Sequence, residues 1–167
     1  MRKLILTLSL ALISAVGFSQ NPLGVGQNQV NVGVGLSEHG VPIYVGIDHG
    51  ISRDLTLGGE LSYRSFNDNE NNFRYKHNVI GISGNLNYHF NNALNMSNEW
   101  DFYVGPNLGY YSYSSNYDGF DGRYNSEVGV GAQIGFRYYL SNSVGLNLEF
   151  GGGNAFSGGK FGLTFKL

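Results

Sequence analysis

From residue 29 to the last residue, apolar positions alternate with polar or glycine positions, and the alternation breaks and restarts to give eight segments. A period of two puts successive side chains on opposite faces of a strand. The segments are 29–37, 41–48, 55–65, 78–90, 100–113, 126–140, 144–153 and a final one that ends flush at Leu167. One face carries Val30, Val32, Val34 and Leu36, then Ile43, Val45 and Ile47, and so on to Phe161, Leu163 and Phe165. The other face is Gly, Asn, Ser, Thr, Gln and Tyr with a few charges. No helical period intervenes. Eight two-faced strands in succession predict an all-β fold, an antiparallel up-and-down sheet that closes into a barrel.

The connections alternate in length. The longest, 66–77 and 114–125, fall on one side, and 141–143 on the other side is very short. Long outer loops, short periplasmic turns and an even strand count are the asymmetry of a transmembrane barrel with both termini periplasmic. The apolar face then meets lipid. Tyr88, Phe90, Trp100, Tyr138 and Phe165 fall near periplasmic strand ends, and Tyr63, Tyr110 and Phe161 near outer ends. That placement predicts two interfacial aromatic girdles. Pro106 removes a ladder donor in mid-strand and predicts a local break. The competing architecture is a soluble binding barrel of the lipocalin or avidin kind, with the apolar face inside. A polar face rich in Gly and Asn makes a poor water-facing surface for it.

The polar face carries Asp48, Glu60, Arg64, Asp101, Glu127, Arg137, Glu149, Lys160 and Lys166, together with His89. Acids and bases nearly balance. An eight-stranded barrel has an interior just wide enough for side chains to fill it, and unpaired buried charges are costly. A packed network of ion pairs is therefore expected. The alternative is a gated path past His89, Glu60, Arg137, Glu149 and Lys160, a narrow porin-like channel for small solutes.

Composition sharpens this picture. Charged residues are 13% of the chain, against roughly 25% in soluble domains. Mean hydropathy is −0.18, too low for a helical membrane protein, whereas a barrel needs apolar residues only at alternate positions. Met1–Ser19 reads as a signal peptide: Arg2 and Lys3, an apolar core from Leu4 to Val16, and the small-x-small site Gly17-Phe18-Ser19. Cleavage would leave 20–167 as one barrel domain. Loss of Arg2 and Lys3 makes the mature chain more acidic than the formal −2 of the full sequence, which argues against nucleic acid as a partner.

Chemistry is sparse. The chain has no cysteine, hence no thiol nucleophile, disulfide or thiolate metal site. The histidines are His39, His49, His77 and His89. No hydroxyl–imidazole–carboxylate set can be placed from the sequence, although His77 with Ser65 or Ser114 and Asp68 is conceivable across neighbouring loops. Asp118 and Asp121 cannot alone supply the six to eight oxygens of a calcium site, nor can Asp68 and Glu70. No phosphate loop or nucleotide fingerprint is present. No catalytic, cofactor-binding or metal residues are therefore expected. The loop aromatics Phe66, Phe73, Tyr75, Tyr117, Phe120 and Tyr124 form a candidate contact surface.

Three stretches carry a resemblance: Tyr103-Val104-Gly105-Pro106-Asn107-Leu108-Gly109-Tyr110, Gly131-Ala132-Gln133-Ile134-Gly135-Phe136-Arg137-Tyr138-Tyr139, and Phe161-Gly162-Leu163-Thr164-Phe165-Lys166-Leu167. With them the chain resembles small bacterial outer-membrane β-barrel proteins of the OmpA/OmpX type. The resemblance implies an eight-stranded transmembrane barrel in the outer membrane of a Gram-negative bacterium, surrounded by outer-membrane lipids. It also implies recognition of the C-terminal strand by the barrel-assembly machinery, usually through a terminal aromatic; here Leu167 is last and Phe165 precedes it by two. The expectation is a non-enzymatic monomer that serves envelope structure, or an extracellular partner met through 66–77 and 114–125. A narrow channel and an interfacial lipid-modifying enzyme stand as alternatives.

Overall fold

A β-branched or aromatic residue at every second position suits a pleated sheet with one apolar face, and each predicted segment is a strand. The computed structural model describes residues 23–37, 40–70, 73–115, 126–154 and 157–167. Its strands are β1 (Asn28–Leu36), β2 (Ile43–Gly50), β3 (Leu55–Glu70), β4 (Phe73–His89), β5 (Trp100–Ser115), β6 (Glu127–Tyr139), β7 (Val144–Gly153) and β8 (Ser157–Lys166). Each pairs antiparallel with its chain neighbour, and β1 closes on β8. Closure leaves no open edge where all eight strands are paired. Among the described residues, no helix is long and apolar enough to cross a membrane.

The register keeps the two faces apart. Val32 lies opposite both Val45 and Leu163, and Leu57 lies opposite Leu86. These side chains point outward: Ile43, Leu57, Ile82, Val130 and Phe161 are all exposed on the barrel wall. The interior is polar, with Gln29, Asn31, Asp48, Thr56, Asn87, His89, Asp101 and Arg137 all buried. This is the inverse of a soluble binding barrel and overturns that alternative. On β5 the outward run from Trp100 to Tyr110 climbs about 33 Å at roughly 3.3 Å per residue, or about 25 Å along the normal at a tilt of about 40°. Ser112 and Ser114 follow on the same face. The apolar band thus matches the hydrocarbon height of an outer-membrane barrel.

Several boundaries differ from the sequence expectation. The stretch 66–77 is a continuing ladder for most of its length: Phe66 pairs with His77 and Glu70 with Phe73. Above the lipid neither face need be apolar, so the strand period no longer shows as hydrophobicity. β5 also runs on to Ser115, while 116–125 of the second expected loop, and the leader 1–19, lie outside the described residues. β2 begins at Ile43 rather than at 41: Gly35 N still donates to the Pro42 carbonyl at 2.7 Å, but proline has no N–H to return the bond. The break expected at Pro106 is present on one side only. Asn85 pairs with Asn107 and Tyr88 with Val104, with no pair between them, whereas Pro106 pairs with Ala132 on β6.

Candidate functional site: the barrel lumen

Inward positions at every second residue bring the lumen charges together in two tiers. The lower tier lies toward the chain termini. Arg137 on β6 reaches Asp48 Oδ2 on β2 at 2.7 Å and Asp101 Oδ2 on β5 at 3.2 Å. Its guanidinium also lies 4.2 Å above the ring centroid of Tyr103. Asp48 accepts further from Gln29 Nε2 at 3.0 Å and Asn31 Nδ2 at 2.9 Å. Asp101 Oδ1 sits 2.7 Å from His89 Nδ1, and His89 Nε2 sits 3.0 Å from Thr56 Oγ1. A carboxylate only accepts, so a proton belongs on Nδ1, and Nε2 is left to share a hydrogen bond with the Thr56 hydroxyl. Relative exposures are 0% for His89 and Tyr103, 1% for Thr56 and Asp101, and 2% for Arg137.

Below this tier the end of the lumen is filled as well. The Tyr139 hydroxyl donates to Gln29 Oε1 at 2.9 Å, and Lys166 Nζ lies 3.9 Å from the Tyr139 ring centroid. Residues 23–27 tuck under the barrel. Gly26 N donates to Gly50 O at 2.8 Å, Gly50 N donates to Gln27 O at 2.9 Å, and Leu23 is buried.

The upper tier is the Glu60–Lys160–Glu149 set. Lys160 Nζ lies 2.7 Å from Glu60 Oε2 and 2.7 Å from Glu149 Oε1. The Tyr103 hydroxyl donates to Glu149 Oε2 at 2.8 Å, with Asn147 Oδ1 a second acceptor at 3.2 Å. Tyr103 therefore links the tiers, its ring against Arg137 and its hydroxyl on Glu149. Beside the upper tier is a cavity of about 30 Å³, bordered by Tyr44, Glu60, Ser62, Tyr111, Glu149 and Lys160. At roughly 10–15 Å³ per water it has room for about two or three waters.

Not every expected lumen charge joins these sets. Glu127 is exposed near the outer mouth opposite Tyr111, which corrects its expected place in the buried network; it lies at the first position of β6, where the wall no longer encloses it. Arg64 stands apart at the outer mouth, donating to Ser37 Oγ at 3.1 Å and Tyr113 OH at 3.2 Å. His77, expected in a loop, is buried in β4 and stacked on Phe66 at 5.2 Å between centroids. Its ring is thereby turned in from the rim, where the candidate hydrolytic set required it. The uncharged partners Gln29, Asn31, Thr56, Tyr103 and Asn147 were not singled out as network members. Their signal was present in the inward parity, but parity does not say which neighbours meet across the lumen. Among the described residues no group of three or more His, Cys, Asp or Glu side chains is arranged to hold a metal ion.

The expected girdle residues lie on the outer wall. Tyr63, Tyr88, Trp100, Tyr110, Tyr138 and Phe161 are exposed, and Phe90 and Phe165 are partly covered. Apart from Phe165 on β8, the lower aromatics are gathered at the lower ends of β4, β5 and β6. Tyr88 packs on Phe90, Phe90 on Phe102, Phe102 on Phe136, and Trp100 on Tyr138, all between 4.7 and 5.3 Å. At the lower ends of β1 and β2 the outward positions are Val30 and Ile47, with Asn28 and His49 beyond them.

With this geometry in hand, comparison with known proteins is specific about the family. The sequence model described as "Outer membrane protein beta-barrel domain" matches residues 4–165. A search of curated proteins finds no match. Similar solved structures include OprG from Pseudomonas aeruginosa, with 10% identity, 86% of this chain and 97% of that chain covered, and a TM-score of 0.63. Neisserial surface protein A has 15% identity, 84% and 95% coverage and a TM-score of 0.56. Ail of Yersinia pestis has 8% identity, 86% and 99% coverage and a TM-score of 0.54. At these identities the likeness is one of fold.

Proposed function

The chain belongs to the outer membrane protein β-barrel family, and from that premise we propose that it is a non-enzymatic, non-conducting barrel of the bacterial outer membrane. Its role in this reading is to bind the envelope together and to present its outer strands and loops to partners outside the cell. The observation that carries it is the lower tier. Arg137, Asp48, Asp101, His89 and Tyr103 cross the lumen with exposures of 3% or less, and the cavity beside the upper tier is about 30 Å³. A hydrated ion moving along the axis would have to break both buried ion pairs that share the Arg137 guanidinium, at a cost of several kcal/mol. Recordings from purified protein in planar bilayers test this. A silent membrane is expected, and reproducible discrete conductance would overturn it. The same reading takes 1–19 as a cleaved signal peptide, so the mass of membrane-extracted protein should begin at Gln20. It takes β8 as the strand offered to the barrel-assembly machinery, so deletion of 157–167 should abolish assembly in the membrane.

A further inference from the structure

Arg137 lies on Asp48 and Asp101, and Lys160 lies on Glu60 and Glu149. Arg64 meets no carboxylate among the described residues. It projects inward from β3 at the outer mouth, in register with Val79 on β4, which is in register with Tyr113 on β5. Its guanidinium is nonetheless held in place. One terminal nitrogen donates to Ser37 Oγ at 3.1 Å and the other to the Tyr113 hydroxyl at 3.2 Å, and the group lies 5.9 Å from the Phe66 ring centroid. Ser37 gives its own hydroxyl hydrogen to Gly40 O at 3.0 Å, so toward Arg64 it only accepts. A guanidinium carries five N–H donors in one plane. Two are used on these neutral acceptors, which leaves one on each terminal nitrogen and one on Nε. A planar carboxylate takes two such donors side by side. The exposed acid Glu127 stands on β6 opposite Tyr111 and makes no ion pair with Arg64.

Arg64 also borders the cavity of about 30 Å³ beside the upper tier. Ser62, Ser83, Asn85 and Asn107 give that cavity uncharged hydrogen-bonding walls, and Val79 borders it beside Arg64. Room for two or three waters is room for a small hydroxyl-bearing group, which can replace a water without loss of its hydrogen bonds. The floor sets the charge of the ligand. Two carboxylates there share the one Lys160 ammonium, so negative charge is in excess below the site. In the half-buried mouth salt screens this over roughly 8–10 Å. A direct contact with Arg64 outweighs it for one negative charge, and a second charge on the ligand adds repulsion from the floor.

We propose that Arg64, held by Ser37 and Tyr113, anchors a binding site at the outer mouth for a short hydroxy monocarboxylate. The carboxylate lies on the guanidinium and the hydroxyl enters the cavity in place of a water. The site needs only the mouth, so it stands whether or not the lumen conducts. The test uses the full-length mature protein in lipid nanodiscs, where both ends of the barrel are open to solution. The Arg64 Nε–Hε resonance, assigned by its loss in Arg64→Gln, is followed as sodium lactate replaces sodium chloride at constant ionic strength. A saturable shift is expected. Lactamide has the same shape without the charge, and sulfate has a second charge; each should bind at least about tenfold more weakly, as for the loss of roughly one charge-assisted hydrogen bond. Titration calorimetry reads the variants. Arg64→Gln should abolish lactate binding, and Arg64→Lys, which keeps the charge but not the planar fork, should weaken it at least about fivefold. Both should keep the heat-modifiable gel shift, and if Arg64→Gln fails to fold, Arg64→Lys carries the comparison. A shift that never saturates, or lactamide binding as tightly as lactate, would overturn the proposal. So would undiminished lactate binding in a folded Arg64 variant, or sulfate binding as tightly as lactate, which would make the mouth a general anion contact.

Discussion

Arg137→Met removes the cation that both buried aspartates of the lower tier share. Methionine keeps much of the side-chain volume and can still lie on the Tyr103 ring, where the guanidinium sits at 4.2 Å. The change is therefore mainly one of charge. Breaking a buried ion pair from one side costs about 3–5 kcal/mol, since a charge is left without its partner. Asp48 keeps the donors Gln29 and Asn31, and Asp101 keeps His89, which places the expected loss at the lower end, about 3 kcal/mol. At 1.36 kcal/mol per decade this is roughly a hundredfold or more in the folding equilibrium. Urea titration in lipid vesicles measures it, with heat-modifiable migration and the fluorescence of the single tryptophan, Trp100, as independent probes. The triple variant Asp48→Asn, Asp101→Asn, Arg137→Met removes both carboxylates together with the cation they share, and most of the lost stability should return. A single variant within about 0.5 kcal/mol of the parent would refute the reasoning, since that is the range of surface changes. A triple variant weaker than the single one would refute it equally.

Three further outcomes follow from the same geometry. Gly135→Ala should destabilise the barrel by about 1–3 kcal/mol, because a Cβ there would fall 2.0 Å from Tyr103 Cζ; the Gly135→Ala, Tyr103→Leu pair should lose less than the sum of its singles in urea titration. Pro106→Val supplies a donor where β4 and β5 are unpaired between Asn85–Asn107 and Tyr88–Val104, and should stabilise by about 0.5–1.5 kcal/mol; a loss of stability would show that the break relieves strain elsewhere. Trp100 is exposed at the lower end of the apolar band and packs on Tyr138, so its fluorescence should be quenched more strongly by lipids brominated near the headgroup than by lipids brominated near the chain ends.

How far the sequence speaks is set by where the environment imposes a pattern. Inside the bilayer one face must be apolar, so β7 is read to its observed bounds, 144–153. Outside it no such rule holds, and Asn67 to Glu70, although in a ladder, looks like a polar loop. Parity placed Asp48, Glu60, Asp101, Arg137, Glu149 and Lys160 in the lumen, because a two-residue period leaves only two directions. It could not divide them into an Asp48–Arg137–Asp101 set and a Glu60–Lys160–Glu149 set. That division depends on strand stagger: Glu149 lies directly opposite Lys160, whereas Glu60 meets Lys160 from across β1 and β2. Glu127 shows the limit of parity from the other side, since an inward direction at the first residue of β6 still opens onto solvent.

The lower tier contains a hydroxyl, an imidazole and a carboxylate in the order that hydrolytic enzymes use, Thr56 to His89 to Asp101, at 3.0 and 2.7 Å. Geometry alone does not make it catalytic. A nucleophile needs a place about 3 Å away for the reacting carbon, and donors aimed at the developing oxyanion. Thr56 is 1% exposed and His89 is fully enclosed, so an acyl group can reach Thr56 only by displacing a neighbour. The carboxylate is also shared with Arg137. The arrangement has another use. Thr56, His89, Asp101 and Arg137 stand on β3, β4, β5 and β6, and Arg137 then crosses to Asp48 on β2. The polar chain ties four consecutive strands in order and then spans the barrel. With lipid outside, sidedness alone would tolerate a two-residue slip of any strand, because the faces are preserved by it. A slip of two would separate Thr56 from His89 and Asp101 from Arg137 by about 7 Å, leaving buried charges and hydroxyls unpaired. In this barrel, then, the polar interior is what makes one register better than its neighbours, and that requirement accounts for the buried triad without any chemistry.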